Sequence, residues 1–531
     1  MLRHARLQKK IPLGTGVLVL NMPELETRKK TPKHDPLQQQ QQAESSALKC
    51  IEMLILGRIF IVHSGPHFRR LAASVGHRAL QLAWYSSLPP PVRIKAGPQN
   101  DAPIVEEDVE VRSMLQSLES LVNRCETPLN AESVDKLFGV QPCRSSDHTL
   151  DHPEMNVRAV LTSLALHIDT KPLSSRSVSN ILLSLRLFRS IHPEIRAVLK
   201  SLTMQIDRWK ESCSFSAQTI SNAIYGLQSS SSDHPEVRNM LKALVSQLDL
   251  CTELLSSHEF SNVLYGLRSC SSDHPEVRAV LKWILPQIDH CEEQMNAMCF
   301  GSALYGLQSC NSEHPEVRAI LKALAPLIVR CEDPLFSLQI ANALSGLRSC
   351  SSNHPEVRAV LRSLAFQIDR SKRPLSSRHV SKALFGLQSC SSKHLEILAI
   401  LKSLAVQIHR CKEPFSPQSV GNALFGLRSC SSDHMEVRAV LKSLVVHIDR
   451  CKEPFTSQEV GIALNGLKSC SSDHLEVSAV LKSLVIHIDR CKELIQERHI
   501  GMAMIGLKSL GIHHPDVRAV LKSLSTKMRN S

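Results

Sequence analysis

A histidine recurs along most of this chain at a spacing that suggests chemistry. It stands at His152, His192, His234, His274, His314, His354, His394, His434, His474 and His514, the last eight each 40 residues from the next. Histidines at regular intervals could ligate metal or move protons. A fixed 40-residue period, however, is the signature of stacked repeats. Equivalent residues on neighbouring helices about 8–10 Å apart cannot share one ion. The His-Pro-Glu string is therefore read as a helix start. The 17 cysteines fall mostly into two repeat slots, Cys251, Cys291, Cys331, Cys411, Cys451 and Cys491, and Cys270, Cys310, Cys350, Cys390, Cys430 and Cys470. None has zinc or redox spacing, and they are read as small buried residues between repeats. No phosphate-binding glycine loop, HExxH or nucleophile motif occurs. No catalytic residue, metal or cofactor is assigned, and the chain is not expected to be an enzyme.

Two other patterns could do chemistry. The first is a basic pair at i, i+4: Arg238/Lys242, Arg278/Lys282, Arg318/Lys322, Arg358/Arg362 and Arg438/Lys442. Stacking would align these into a ladder able to neutralise phosphates along a strand; a solvated face balanced by Glu and Asp is the alternative. The second is a slot that changes in nearly every copy while its surroundings hold: Ser177, Thr219, Glu259, Cys299, Gln339, His379, Ser419, Glu459 and His499. Three residues on come Asn222, Asn262, Asn342 and Asn422, and just before it Arg176, Gln218, His258, Arg378 and Arg498. Polar residues that vary by repeat on one face could each address one unit of a linear polymer, as RNA-reading repeats do. An aromatic slot accompanies them at Tyr225, Tyr265, Tyr305, Phe385 and Phe425, able to stack bases or to pack repeats together.

The elements that must position these residues are two helices per unit. In the copy opening at His354, Val357, Val360, Leu361, Leu364, Ala365 and Ile368 draw one apolar stripe at helical period. In a sister copy Asp233 is placed to cap the helix and Glu236 to reach back, with Pro235 in the first turn. Arg450–Pro454 marks the helix end. Val380, Ala383, Leu384 and Leu387 form the second stripe, and Thr456 with Glu459 makes a capping box. Glycines at Gly226, Gly266, Gly306, Gly346, Gly386, Gly426, Gly466 and Gly506 are read as mid-helix residues marking close helix contacts. One hairpin cannot bury its apolar faces alone and must stack. The fold expected is all-α, an α-solenoid of about ten 40-residue helix hairpins plus a terminal helix.

Residues 1–52, with the run Gln38–Gln42, are read as a disordered extension. Residues 53–103 are read as a transit-peptide-like segment and Pro-rich linker, because Met53–Asn100 contains arginines and no acid. Residues 1–100 hold 15 Lys/Arg against 5 Asp/Glu, so most of the net charge of +13 is N-terminal. Residues 104–531 form the repeat array. No 18-residue charge-free apolar run occurs, so no membrane span is expected.

The second-helix strings Gln218-Thr-Ile-Ser-Asn-Ala-Ile-Tyr-Gly-Leu227 and Gln418-Ser-Val-Gly-Asn-Ala-Leu-Phe-Gly-Leu427 resemble the octotricopeptide repeat, and the helical repeats found with RAP domains in organellar proteins. The resemblance covers about residues 104–531; the units here are longer, Tyr or Phe stands where that family has Trp, and no RAP-like domain is seen. It implies sequence-selective RNA binding in mitochondria or chloroplasts, acting on transcript stability, processing or translation. The expectation is a non-catalytic protein of the mitochondrial matrix, with chloroplast as the alternative. It would bind single-stranded organellar RNA at about one nucleotide per repeat, alongside other RNA-processing proteins. The rival expectation is a protein-binding scaffold of the armadillo or HEAT kind.

Overall fold

The computed structural model describes residues 157–170, 172–209, 215–291, 293–371 and 373–529. The extension, the basic segment, the linker and the first of the ten expected hairpins lie outside these residues. The described chain is an α-solenoid: nine helix hairpins and a last helix, Pro515–Arg529. First helices such as Pro355–Arg370 alternate with shorter second helices such as Ser377–Phe385. Each first helix packs on the next first helix and each second on the next second, so the repeats stack in two layers.

The core is the seam between those layers, and the expected stripes line it. Val357, Val360, Leu361 and Leu364 have no exposed surface, nor do Val380, Ala383, Leu384 and Leu387. The cysteines are free thiols. Cys270, Cys310, Cys350, Cys390 and Cys430 are fully buried in the turn after the second helix. Burial pushes the Cys270 and Cys350 thiols up to about 12, which leaves them protonated and inert.

The turn string Ser-Cys-Ser-Ser-Asp-His is a hydrogen-bond template running between repeats. The Ser271 amide donates to Ser232 Oγ at 2.8 Å, Ser269 Oγ donates to the Gln228 carbonyl at 2.6 Å, and Cys310 Sγ to the Cys270 carbonyl at 3.8 Å. Each bond joins residues about one repeat apart. Backbone groups left over by the turn are thus satisfied by the neighbouring copy.

Three details differ from the expectation. The N-cap of the first helix is the histidine, not the aspartate, and its side chain makes no cap bond. The preceding loop is held instead by the arginine one turn in: Arg238 Nη1 donates to the carbonyls of Ser232 at 2.7 Å and Asp233 at 3.0 Å. The histidine reaches back one repeat, with His314 Nε2 3.1 Å from Asp273 Oδ1 and His354 Nε2 3.1 Å from Glu313 Oε1. Secondly, the repeated glycines sit at the end of the second helix rather than mid-helix, as in Ala217–Gly226 and Pro417–Gly426. A Cβ there would run into the carbonyl of the preceding second helix, Leu182 for Gly226 and Leu384 for Gly426. Thirdly, the loop glutamates cap the second helix of the previous repeat: Glu253 Oε2 accepts from the Ala217 amide at 2.7 Å, and Glu493 Oε2 from Ser457 at 3.0 Å. A carboxylate at a helix N-terminus is favoured by the dipole as well as by the bond.

Candidate nucleic-acid interface

The variable slot turns out to be the third residue of each second helix, and its side chains are busy there. Ser177, Thr219 and Ser419 place their hydroxyls 3.0, 3.0 and 3.1 Å from the N-cap hydroxyls Ser174, Ser216 and Ser416. Glu259 and Glu459 close capping boxes with Ser256 and Thr456. His379 Nδ1 meets Ser376 Oγ at 2.9 Å, and His499 Nδ1 meets Ser457 Oγ at 2.7 Å. Cys299 is buried, and Gln339 is half-buried with an Oε1 that has no hydrogen-bond partner. The slot varies because several side chains can satisfy an N-terminus, and capping accounts for its polarity. Thr456→Ala should therefore cost about 1 kcal/mol of stability, while Glu459→Gln, which keeps the box, should change it little. Urea unfolding of the two variants checks this; a Gln variant as unstable as the Ala one would show that the box is not what this slot does.

The basic pairs divide. Arg238, Arg278, Arg318, Arg358 and Arg438 each clamp the loop before their own helix through Nη1, at 2.7–3.0 Å. Lys242, Lys282, Lys322, Arg362 and Lys442 are exposed. Glutamates of the following repeat stand beside this row, as in Arg362–Glu396 at 2.6 Å and Arg196–Glu236 at 3.8 Å. Exposed pairs of this kind add little energy but cancel the local field.

The row also looks the wrong way to share a strand with the second helices. Lys242 stands opposite the buried Val237, Leu241 and Leu244, while Asn222 and Tyr225 stand opposite the buried Ile220, Ala223 and Ile224. The two helices of a hairpin face one another through the core. Their exposed sides therefore look out on opposite faces of the two-layer stack.

The second-helix face carries a richer set. Gln218, His258, Met298, Arg378, Gln418 and Arg498 are exposed one residue before the capping slot. One turn on, Asn222, Asn262 and Asn342 are partly exposed, and Asn422 is just buried. Asn262 Nδ2 lies 3.4 Å from His258 Nδ1, so these two positions share a face. A further turn brings the aromatics into a ladder: Tyr225 to Tyr265 at 5.5 Å, Tyr265 to Tyr305 at 5.8 Å, and Phe385 to Phe425 at 5.8 Å between ring centroids.

Beyond the ladder, glutamine and arginine alternate at Gln228, Arg268, Gln308, Arg348, Gln388 and Arg428, with Lys468 next. Arginine and glutamine there make the same bond to the previous repeat. Arg268 Nε donates to the Gln228 carbonyl at 3.0 Å, and Gln308 Nε2 to the Arg268 carbonyl at 3.1 Å. The equivalence leaves surplus positive charge on this face, since its carboxylates, Glu259, Glu459 and Glu497, sit at helix N-termini. Sequence reasoning passed over this row; its signal was the alternation of Gly-Leu-Gln and Gly-Leu-Arg from copy to copy.

Among the described residues no three His, Cys, Asp or Glu side chains gather as a metal site, and no helix is long and apolar enough to cross a membrane. No protein-family model matches the chain, and no curated protein matches it either.

Proposed function

We propose that the chain binds single-stranded RNA along its second-helix face, without catalysis, at about one nucleotide per repeat. The observation that carries this reading is the set of parallel rows on that face, each repeated once per hairpin. An exposed variable residue and an asparagine can address base edges, a stacked aromatic lies beneath them, and a cation or glutamine follows. RNA-reading helical repeats work by two or three side chains per base. Phosphates would be met by Arg268, Arg378, Arg428, Lys468 and Arg498. The first-helix ladder, on the opposite face, would add only long-range attraction. On this reading the basic residues 53–100 direct the protein to an organelle, mitochondrial in the first instance, where it protects or recruits a transcript.

The test is a titration of fluorescent single-stranded RNA at several salt concentrations. Single strands lose affinity with a log–log slope of about −0.7 per phosphate neutralised. Arg378→Gln with Arg498→Gln should flatten that slope by about 1.4, and Lys242→Gln with Lys282→Gln should leave it nearly unchanged. Affinity indifferent to salt, or a slope that responds only to the first-helix pair, would overturn the reading in favour of a protein-binding scaffold.

A further inference from the structure

The aromatic ladder has a break. Between Tyr305 and Phe385 the slot is held by Ser345, which is fully buried with no hydrogen-bond partner for its Oγ. The space of the missing ring is entered by Lys382 from the next repeat. Its Nζ lies 4.0 Å from the Tyr305 ring centroid and donates to Asn342 Oδ1 at 2.6 Å.

Lys382 is 6% exposed, although its counterparts Asn222, Asn262 and Asn342 are partly open to solvent. Arg348 follows Ser345 by one turn and is 1% exposed, with Nε donating to the Gln308 carbonyl at 3.0 Å. Arg268 donates from Nη1 to the Tyr265 hydroxyl at 2.6 Å. The charges acting on the Lys382 ammonium, Arg268, Arg378 and Arg348, are all cations; burial and these neighbours hold it well below the ordinary lysine value.

Several cations gathered in a desolvated pocket are favoured only when an anion joins them. We propose that the ladder break is a binding site for one phosphate group, held by Lys382 and Arg348 with the Ser345 hydroxyl as a further donor. It rests on the RNA reading only for where the phosphate comes from: a strand on the second-helix face, or free phosphate in solution. Access needs only rotation of the flexible lysine stem, because the site lies one side chain beneath the surface. A bound dianion restores the ammonium form of Lys382 and turns an electrostatic fault in the array into its anchoring point. No other described repeat has this arrangement, because the equivalent positions pair Asn222 with Tyr225, Asn262 with Tyr265 and Asn422 with Phe425.

The full chain is titrated at constant ionic strength with inorganic phosphate, by calorimetry, and in parallel with single-stranded RNA over a salt series. The variants are Lys382→Asn, which installs the residue found in neighbouring repeats, and the double change Ser345→Phe with Lys382→Asn, which also refills the ladder. Should the single variant fail to fold, the double one carries the test. Inorganic phosphate binding that is saturable in the parent and at least tenfold weaker in the variants supports the site with free phosphate as ligand. RNA binding whose salt slope flattens by about 0.7 in the variants, with no phosphate binding by the parent, supports it with the strand as source. If neither ligand responds to the variants, the proposal is overturned. The RNA reading then stands or falls on the parent's own salt slope; phosphate binding lost in the variants with no RNA binding in the parent would leave the site standing and remove that reading.

Discussion

Gly426→Ala is expected to destabilise the chain by about 3 kcal/mol, at the upper end of what overpacking costs, while Gly421→Ala in the same helix stabilises it. Both glycines lie in Pro417–Gly426, and neither has the positive φ that would penalise a side chain. The difference is in the space around them. A Cβ on Gly426 would overlap the Leu384 carbonyl and the Phe385 amide of the preceding second helix. Those are backbone atoms, so no rotamer change relieves the clash, and the helices must separate. A Cβ on Gly421 would meet Glu459 O at 3.5 Å and Ile462 Cγ2 at 3.6 Å, which is ordinary contact.

At Gly421, alanine should recover up to about 1 kcal/mol of helix propensity. Urea unfolding of the two variants decides the matter, with hydrogen exchange to show whether the loss at Gly426 is confined to the repeats on either side, as nearest-neighbour coupling requires. Equal effects at the two sites would mean that close approach of second helices is not what these glycines provide.

Acidification is expected to loosen the C-terminal repeats through two histidines. His447 and His487 occupy a first-helix slot that holds glutamine elsewhere, and both are buried. Each Nε2–H donates to the previous first helix, to the Ile408 carbonyl at 3.1 Å and the Ile448 carbonyl at 2.8 Å. Their rings stack on Phe415 and Phe455 at 4.4 and 4.5 Å. Nδ1 of each is buried without a partner. Burial, joined by Arg450 and Arg490, lowers both from the ordinary 6.5, although the carbonyl bonds oppose the shift.

A folded value below the unfolded one means that the neutral form stabilises the fold. That contribution is complete above pH 6.5 and is lost as pH falls through the folded values. Charging either ring leaves a buried Nδ1–H unpaired, at about 1–3 kcal/mol per site. His447→Gln with His487→Gln keeps the inter-helix bond in the way Gln367 does, whose Nε2 donates to the Ile328 carbonyl at 2.8 Å. Thermal unfolding of the parent should therefore drop more steeply than that of the double variant between pH 7 and pH 5. Parallel curves would remove the histidines from the account.

The hairpin, its period and its buried stripes were legible in the sequence because they depend on local periodicity. Val357, Val360, Leu361 and Leu364 lie on one side of a helix wherever that helix goes, and a 40-residue spacing leaves stacking as the only way to cover them. The capping box at Thr456 and Glu459 was legible for the same reason, since its partners are three residues apart.

What only the tertiary structure decided is which polar slots face solvent, because their partners lie in another repeat. Arg238 and Lys242 look alike in the sequence, yet one is spent on the loop carbonyls of Ser232 and Asp233 and the other is exposed. Ser177, Thr219 and Glu459 vary as a recognition residue would, but their side chains turn to their own helix ends, and the exposed variable residue is the neighbour, as at Gln218 and Arg378. The charge at the ladder break depends on Ser345 in one repeat, Lys382 in the next and Tyr305 in the one before. No pattern within a single unit could show that these three side chains converge, since packing alone brings residues 40 and 77 positions apart into one pocket.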